Sequence, residues 1–189
     1  MHRLMNWLAR ITALIGGLIL LLIILLTTLS IIGRTLNKMM HSDTAESLLG
    51  GIAQKILDLG VGEINGNYEL LEAGVAFAIF SFFPICQLAG AHATVDVFTS
   101  FLSARANRAI AAFWEVVLAA ALILISWRLF EGMQRYIGNG ETTLFLQFPV
   151  WWAYAASFAA SVVTCIVAVY CAVMRVGESV TGQKRLFAS

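Results

Sequence analysis

The chain has 189 residues, of which 60% are hydrophobic and only 12% are charged, and its mean hydropathy is +0.84. Soluble domains carry about 25% charged residues, so this composition excludes an ordinary soluble protein and indicates an integral membrane protein. Twelve basic and eleven acidic residues leave a formal net charge of +1, which gives no general attraction for nucleic acid.

The first predicted element is the uncharged segment 11–33, which lies between Arg10 and Arg34. About 20 apolar residues cross a bilayer core, so this segment is long enough to span a membrane with some tilt. A cleavable signal peptide would have an apolar core of roughly 7 to 15 residues and a small-x-small cleavage site. The segment is longer and no such site follows it, so we predict a retained transmembrane helix.

The connection over 34–72 is too long to be a bare loop. Asp43 followed by Glu46 resembles a capping box, which predicts the start of a helix. The apolar residues that then recur at helical spacing are Leu48, Ile52, Ile56 and Leu59. We predict an outer amphipathic helix at about 43–59, lying on the membrane surface or against a partner.

Three further apolar segments predict transmembrane helices at 73–95, 109–127 and 149–174. Pro84 lies in the middle of the second and is expected to kink it, which membrane helices tolerate. Glu115 is the one acidic residue inside the third. With the first segment, these predict an all-α membrane protein with four transmembrane helices in a single membrane domain, residues 1–189.

Basic residues in the flanks predict the orientation of the chain. With a cytoplasmic amino terminus, the inner flanks (1–10, 96–109 and 175–189) hold 7 Lys and Arg in 39 residues, and the outer flanks hold 5 in 61. Cytoplasmic flanks carry the excess of Lys and Arg, so we predict that both termini are cytoplasmic. Eight of the eleven acidic residues then lie on the outer side.

His92 and Asp96 stand four residues apart after a long apolar run, so helical spacing would place them on one face. A haem site would need a second axial histidine, but His2 and His41 lie outside the predicted spans. A zinc site needs three or four ligands, and no other Cys or His has the required spacing. The sequence therefore favours a helix end at the membrane surface, and we predict no cofactor or metal.

The stretch that follows Asp96 alternates apolar and polar residues and then reaches Arg105 and Arg108. This pattern predicts a short interfacial helix. Glu115 lies roughly 10 Å from the cytoplasmic end of the third span. It can reach Arg108 two turns earlier or a partner chain, so a structural ion pair is favoured over an ion pathway. No nucleophile–base pair, carboxylate dyad or phosphate loop occurs, so no enzymatic activity is predicted.

Two motifs resemble the small membrane subunit (DctQ type) of tripartite ATP-independent periplasmic (TRAP) transporters. The first follows the pattern G-x-H-x-x-V-D, with Gly90, His92, Val95 and Asp96. The second is the last outer turn, G-x-x-T-x-x-L-x-x-P-x-W, with Gly140, Thr143, Leu146, Pro149 and Trp151. The similarity runs from about residue 69 to 174 and includes the first helix in topology only.

The resemblance implies a multi-pass subunit of the bacterial inner membrane. A periplasmic solute-binding protein would deliver an organic acid or similar solute to a large multi-span subunit that carries the substrate and sodium sites. This chain would enlarge the fixed, non-catalytic scaffold. Its structural or subunit-contact candidates are Gly90, His92, Asp96, Arg105, Arg108, Glu115, Pro149 and Trp151. The alternatives are a membrane anchor of a respiratory oxidoreductase and a self-assembling four-helix membrane protein.

Overall fold

The computed structural model describes residues 2–41, 62, 64–91 and 103–181. Four long helices make up most of this part: α1 (His2–Met40), α2 (Asn67–Ala89), α3 (Ala104–Asn139) and α4 (Trp151–Thr181). Each is long and apolar enough to cross a membrane, and no β-strand occurs among these residues. The predicted all-α architecture with four membrane-spanning helices is confirmed.

All four helices extend beyond the apolar segments that predicted them at one end or both, and α2 begins at Asn67 rather than 73. α1 continues past Arg10 and Arg34, and α4 continues to Thr181. α3 continues to Asn139, and an Arg128–Glu131 ion pair of 2.8 Å lies on this extension. The reason is that lack of charge marks the part of a helix inside hydrocarbon, whereas backbone hydrogen bonding continues into the polar interface.

α2 ends earlier than the predicted span, at Ala89 rather than 95. Gly90 adopts the left-handed conformation (φ 60°, ψ 27°), and its N–H and that of Ala91 donate to carbonyls of the last helical turn. Glycine tolerates this conformation, so it ends the helix although apolar residues continue. His92, Asp96 and the predicted outer helix at 43–59 lie outside the described residues.

α3 begins after Ser103, whose hydroxyl accepts a hydrogen bond of 3.3 Å from the Ala106 N–H. This is an ordinary helix N-cap. Arg105 and Arg108 therefore lie in the first turns of α3 itself and not in a separate interfacial helix. The first half of the stretch that predicted that helix, residues 97–102, is outside the described part of the chain.

The helices pack in the order α1–α2–α4–α3, and α1 contacts α4 through only a few residues. α2 and α3 both pack against α4 but do not approach each other closely through their backbones. Small residues allow the close contacts: a Cβ atom at Gly16 of α1 would lie 2.6 Å from the Cβ of Ser81 on α2. The result is an open arrangement rather than a closed bundle.

Hydroxyl groups connect the helices inside the apolar layer. Pro84 lies within α2 and has no N–H, so the carbonyl of Phe80 loses its helical donor. The Thr164 hydroxyl of α4 donates to that carbonyl at 2.7 Å. Between α3 and α4, the buried hydroxyls of Ser126 and Ser161 lie 2.5 Å apart. These hydrogen bonds satisfy polar groups for which the hydrocarbon chains of lipid offer no partner.

Candidate functional site

The gap between α2 and α3 is the feature that best defines a candidate site. Both helices are held by α4, and two polar bridges connect them across the gap, one at each end of the bundle. We call the bridge that joins α2 to the turn between α3 and α4 the outer bridge, and the bridge that joins α2 directly to α3 the inner bridge, after the orientation that the basic residues predict.

The outer bridge depends on a tightly folded turn over residues 140–150. Gly140 ends α3 in the left-handed conformation, with φ 65°. Thr142 and Pro149 then form an isolated antiparallel bridge, and the Thr143 N–H donates to the Phe148 carbonyl at 3.0 Å. These residues belong to the turn motif of the sequence, which therefore forms a short hairpin-like loop.

Glu69, in the first turn of α2, binds this loop. One carboxylate oxygen accepts the Phe145 N–H at 2.7 Å, and the other accepts the Leu146 N–H at 3.0 Å. The Leu146 side chain packs over Gly66, where a Cβ atom would collide with it, and Gly66 has a φ of 80°. Glycine is required here for both reasons, and the loop is fixed against the start of α2.

The charge of Glu69 is stabilised by this arrangement. Glu69 precedes the uncharged segment that begins at Ala73, so it lies outside the membrane-spanning segment. Desolvation raises the pKa of Glu69, but the hydrogen bonds from the backbone N–H groups of Phe145 and Leu146 together with the other bonds of the turn outweigh it, so the net pKa is below the usual 4.5.

The inner bridge is a hydrogen bond from the Gln87 side-chain amide to the Glu115 carboxylate. Gln87 is only 2% exposed. Glu115 was predicted to reach Arg108 or a partner chain, but its hydrogen bond in the described part of the chain is to Gln87. Gln87 was not among the candidates, although it is the one side-chain amide between residues 73 and 95.

Further charged residues lie at the inner end. Glu178 of α4 is buried, with 5% exposure, and its carboxylate is 3.5 Å from the Arg175 guanidinium. Arg105 is exposed, whereas the Nε atom of Arg108 is buried and meets no hydrogen-bond partner among the described residues. The structure therefore does not bring Arg105 or Arg108 to Glu115 through a hydrogen bond or an ion pair.

The remaining candidates are placed at helix ends. Gly90 ends α2, and Pro149 accepts the Trp152 N–H at 3.0 Å just before α4 begins at Trp151. The Trp151 and Trp152 rings lie edge to face with centroids 6.2 Å apart. This pair stands at the outer end of α4, where an interfacial belt is expected.

No group of three His, Cys, Asp or Glu side chains that could hold a metal occurs in residues 2–41, 64–91 and 103–181. The three cysteines are free. The described polar groups thus connect helices, and we find no arrangement among them that resembles a catalytic or metal site.

A comparison with protein families gives a match to the family described as "Tripartite ATP-independent periplasmic transporters, DctQ component", over residues 59–177. The matched region is well over half of the chain. It includes α2, α3, most of α4 and both polar bridges, whereas α1 lies outside it. No curated protein and no solved structure gives a significant match.

Proposed function

Since the chain belongs to the DctQ component family of tripartite ATP-independent periplasmic transporters, we propose that it is the non-catalytic scaffold subunit of a sodium-coupled importer. The family match is the observation that carries this proposal. In it, a periplasmic binding protein delivers an organic acid or similar solute, and a large membrane subunit binds the solute and sodium. Both termini of this chain face the cytoplasm of a bacterial cell.

The use of polar groups within the helices supports a scaffold role. A pathway for an anionic solute and sodium needs polar groups at mid-membrane, often at the ends of broken helices. α2 runs through Pro84 without a break, and the Phe80 carbonyl is occupied by Thr164. The hydroxyls of Ser126 and Ser161 form a hydrogen bond with each other. These groups join helices, so in our proposal the transport pathway lies in the large subunit.

The open packing order supports a subunit that lies beside another membrane protein. α1 and α3 each contact few other helices and carry large apolar side chains on their outward faces. Leu14 is 72% exposed on α1, and Leu124 is 64% exposed on α3. Lipid and the large subunit would share these surfaces.

The candidate residues keep the roles that the sequence suggested for them. We propose that His92 and Asp96 fix the chain where it leaves α2, and that Asp96→Ala weakens assembly without changing the transported solute. A changed solute profile at normal complex abundance would contradict this. The outer segment 43–59 would pack at the mouth of the complex, and replacing Ile52 and Ile56 by Asp would then reduce complex stability.

Reconstitution tests the proposal directly. The purified full chain in liposomes should catalyse no solute uptake and should bind neither solute nor sodium. Uptake should require the large subunit, the binding protein and a sodium gradient. Sodium-dependent uptake by this chain alone would overturn the scaffold role, and Glu115 would be the first residue to examine. An absorbance spectrum of the purified chain with a Soret band would instead support the respiratory anchor.

A further inference from the structure

A cleft of about 290 Å³ lies at the outer end of the gap between α2 and α3, beside the Glu69 bridge. Its walls are mainly apolar and are formed by Ala73 and Ala76 of α2, Leu129 of α3, Phe148 of the turn and Ala153 of α4. Because α2 and α3 do not pack on each other, this wedge is open at the level where the helices enter the membrane. Its size and lining suit part of a hydrocarbon chain.

The rim of the cleft carries charges of both signs around one tyrosine. Glu72 and Tyr154 line the cleft. Arg135 precedes Tyr136, whose ring lies 4.9 Å from that of Tyr154. Both Glu72 and Arg135 lie within electrostatic range of the Tyr154 hydroxyl. Both charged side chains are exposed, and neither forms an ion pair or a side-chain hydrogen bond with another described residue, although Arg135 also lies within electrostatic range of Glu131. A carboxylate and a guanidinium are therefore available at the mouth of an apolar wedge.

The polar groups on the turn side of the cleft are engaged with each other. The Thr143 hydroxyl lines the cleft beside the Glu69 carboxylate and is placed to donate a hydrogen bond to it. Both Glu69 oxygens also accept backbone N–H groups of the turn. Glu69 is therefore used within the protein, which leaves Glu72 as the carboxylate of the cleft that faces a ligand.

We propose that this cleft binds phosphatidylethanolamine. An acyl chain lies between α2 and α3, the ammonium group pairs with Glu72, and the phosphate pairs with Arg135. In the proposed topology the lipid belongs to the outer leaflet, but the binding itself depends only on the cleft and its rim. The lipid would fill the wedge that the helix packing leaves open.

The charges select this headgroup over others. An anionic phospholipid such as phosphatidylglycerol would place no cation near Glu72 and would be repelled by it. Phosphatidylcholine carries both charges, but its quaternary ammonium has no N–H to donate to a carboxylate. A primary ammonium donates hydrogen bonds to the carboxylate, and charge-assisted hydrogen bonds are stronger than a contact between ions alone.

Native mass spectrometry of the full chain in detergent tests the proposal with three added lipids: phosphatidylethanolamine, phosphatidylglycerol and phosphatidylcholine. We expect phosphatidylethanolamine to be retained best. Glu72→Gln and Arg135→Gln should each reduce its retention roughly twofold to fivefold, the range for an exposed charge pair. Both side chains are on the surface, so both variants should fold, which their circular dichroism and melting temperature would check.

Glu141→Gln is the matched control, because Glu141 is an exposed acid in the same turn and does not line the cleft. It should leave retention unchanged. Equal retention of the three lipids, or equal retention by the wild type and both rim variants, would overturn the proposal. So would a photo-crosslinker at Leu129 that reacts in membranes with a protein chain and not with lipid.

Discussion

The hydroxyl of Thr164 donates a hydrogen bond of 2.7 Å to the carbonyl oxygen of Phe80, on a different helix. That carbonyl lacks its own helical donor because residue 84 is a proline. One side chain of α4 thus completes the backbone hydrogen bonding of α2 inside the apolar layer. The packing of α2 on α4 and the tolerance of Pro84 are therefore coupled.

Thr164→Val should destabilise the protein, because the Phe80 carbonyl then has no donor in a layer without water. Interhelical hydrogen bonds in membranes contribute about 0.6 kcal/mol on average and up to about 1.7 kcal/mol, so the loss should lie in this range. Thr164→Ser keeps the hydroxyl and is the matched control. Adding Pro84→Ala restores the N–H donor to α2, so the double variant should lose less than Thr164→Val alone. Thermal unfolding in detergent measures the wild type, both Thr164 variants, Pro84→Ala alone and the double variant, and strictly additive effects would contradict the coupling.

Glu69→Gln should loosen the turn between α3 and α4, because a neutral amide has one acceptor oxygen where the carboxylate uses two. The effect should depend on pH. The folded pKa of Glu69 is lowered, so its stabilising contribution is present above the unfolded pKa and is lost as pH falls through the folded pKa. The melting temperature of the wild type should approach that of Glu69→Gln on acidification. Glu141→Gln should follow the wild type at every pH.

Glu115→Ala should destabilise the inner end of the bundle, because the buried Gln87 amide loses the Glu115 acceptor. An unmade buried hydrogen bond costs about 1–3 kcal/mol. Glu115→Gln retains an acceptor oxygen and should cost less. In a double-mutant cycle with Gln87→Leu, the combined loss should be smaller than the sum of the single losses. If Arg108→Gln abolished the effect of Glu115→Ala and Gln87→Leu did not, the originally expected Arg108 pairing would be supported.

Both termini should be inaccessible from outside the cell, while the turn between α3 and α4 should be accessible. Cysteine placed at Glu141, which is exposed, should react with a membrane-impermeant maleimide in intact cells. Cysteine at Ser189 should react only after the membrane is opened. Cys86, Cys165 and Cys171 would first be replaced by Ala or Ser. Labelling of residue 189 from outside would reverse the orientation that the basic residues predict.

The turn at 140–151 shows what a local sequence motif predicts and what it leaves open. Its glycine, proline and tryptophan predicted a turn followed by the last helix, and the structure has both. The sequence did not indicate that Glu69 would bind that turn, because the two are 76 residues apart and their meeting depends on how α2 and α4 are placed. A carboxylate in the first turn of a helix can equally well face solvent, so its position in the sequence does not indicate a tertiary contact.

The sequence by itself determined the four apolar helices, the absence of charge in three of the four predicted spans and the resemblance that the family match confirmed. These follow from hydrophobic length and local spacing, which act within one segment. Only the tertiary structure decided the order α1–α2–α4–α3, the Thr164 bond to Phe80 and the choice of Gln87 as the partner of Glu115. Each of these depends on the rotation of a helix about its axis and on which helix lies beside it. Lipid-facing and helix-facing surfaces are both apolar, so hydrophobicity alone does not distinguish them.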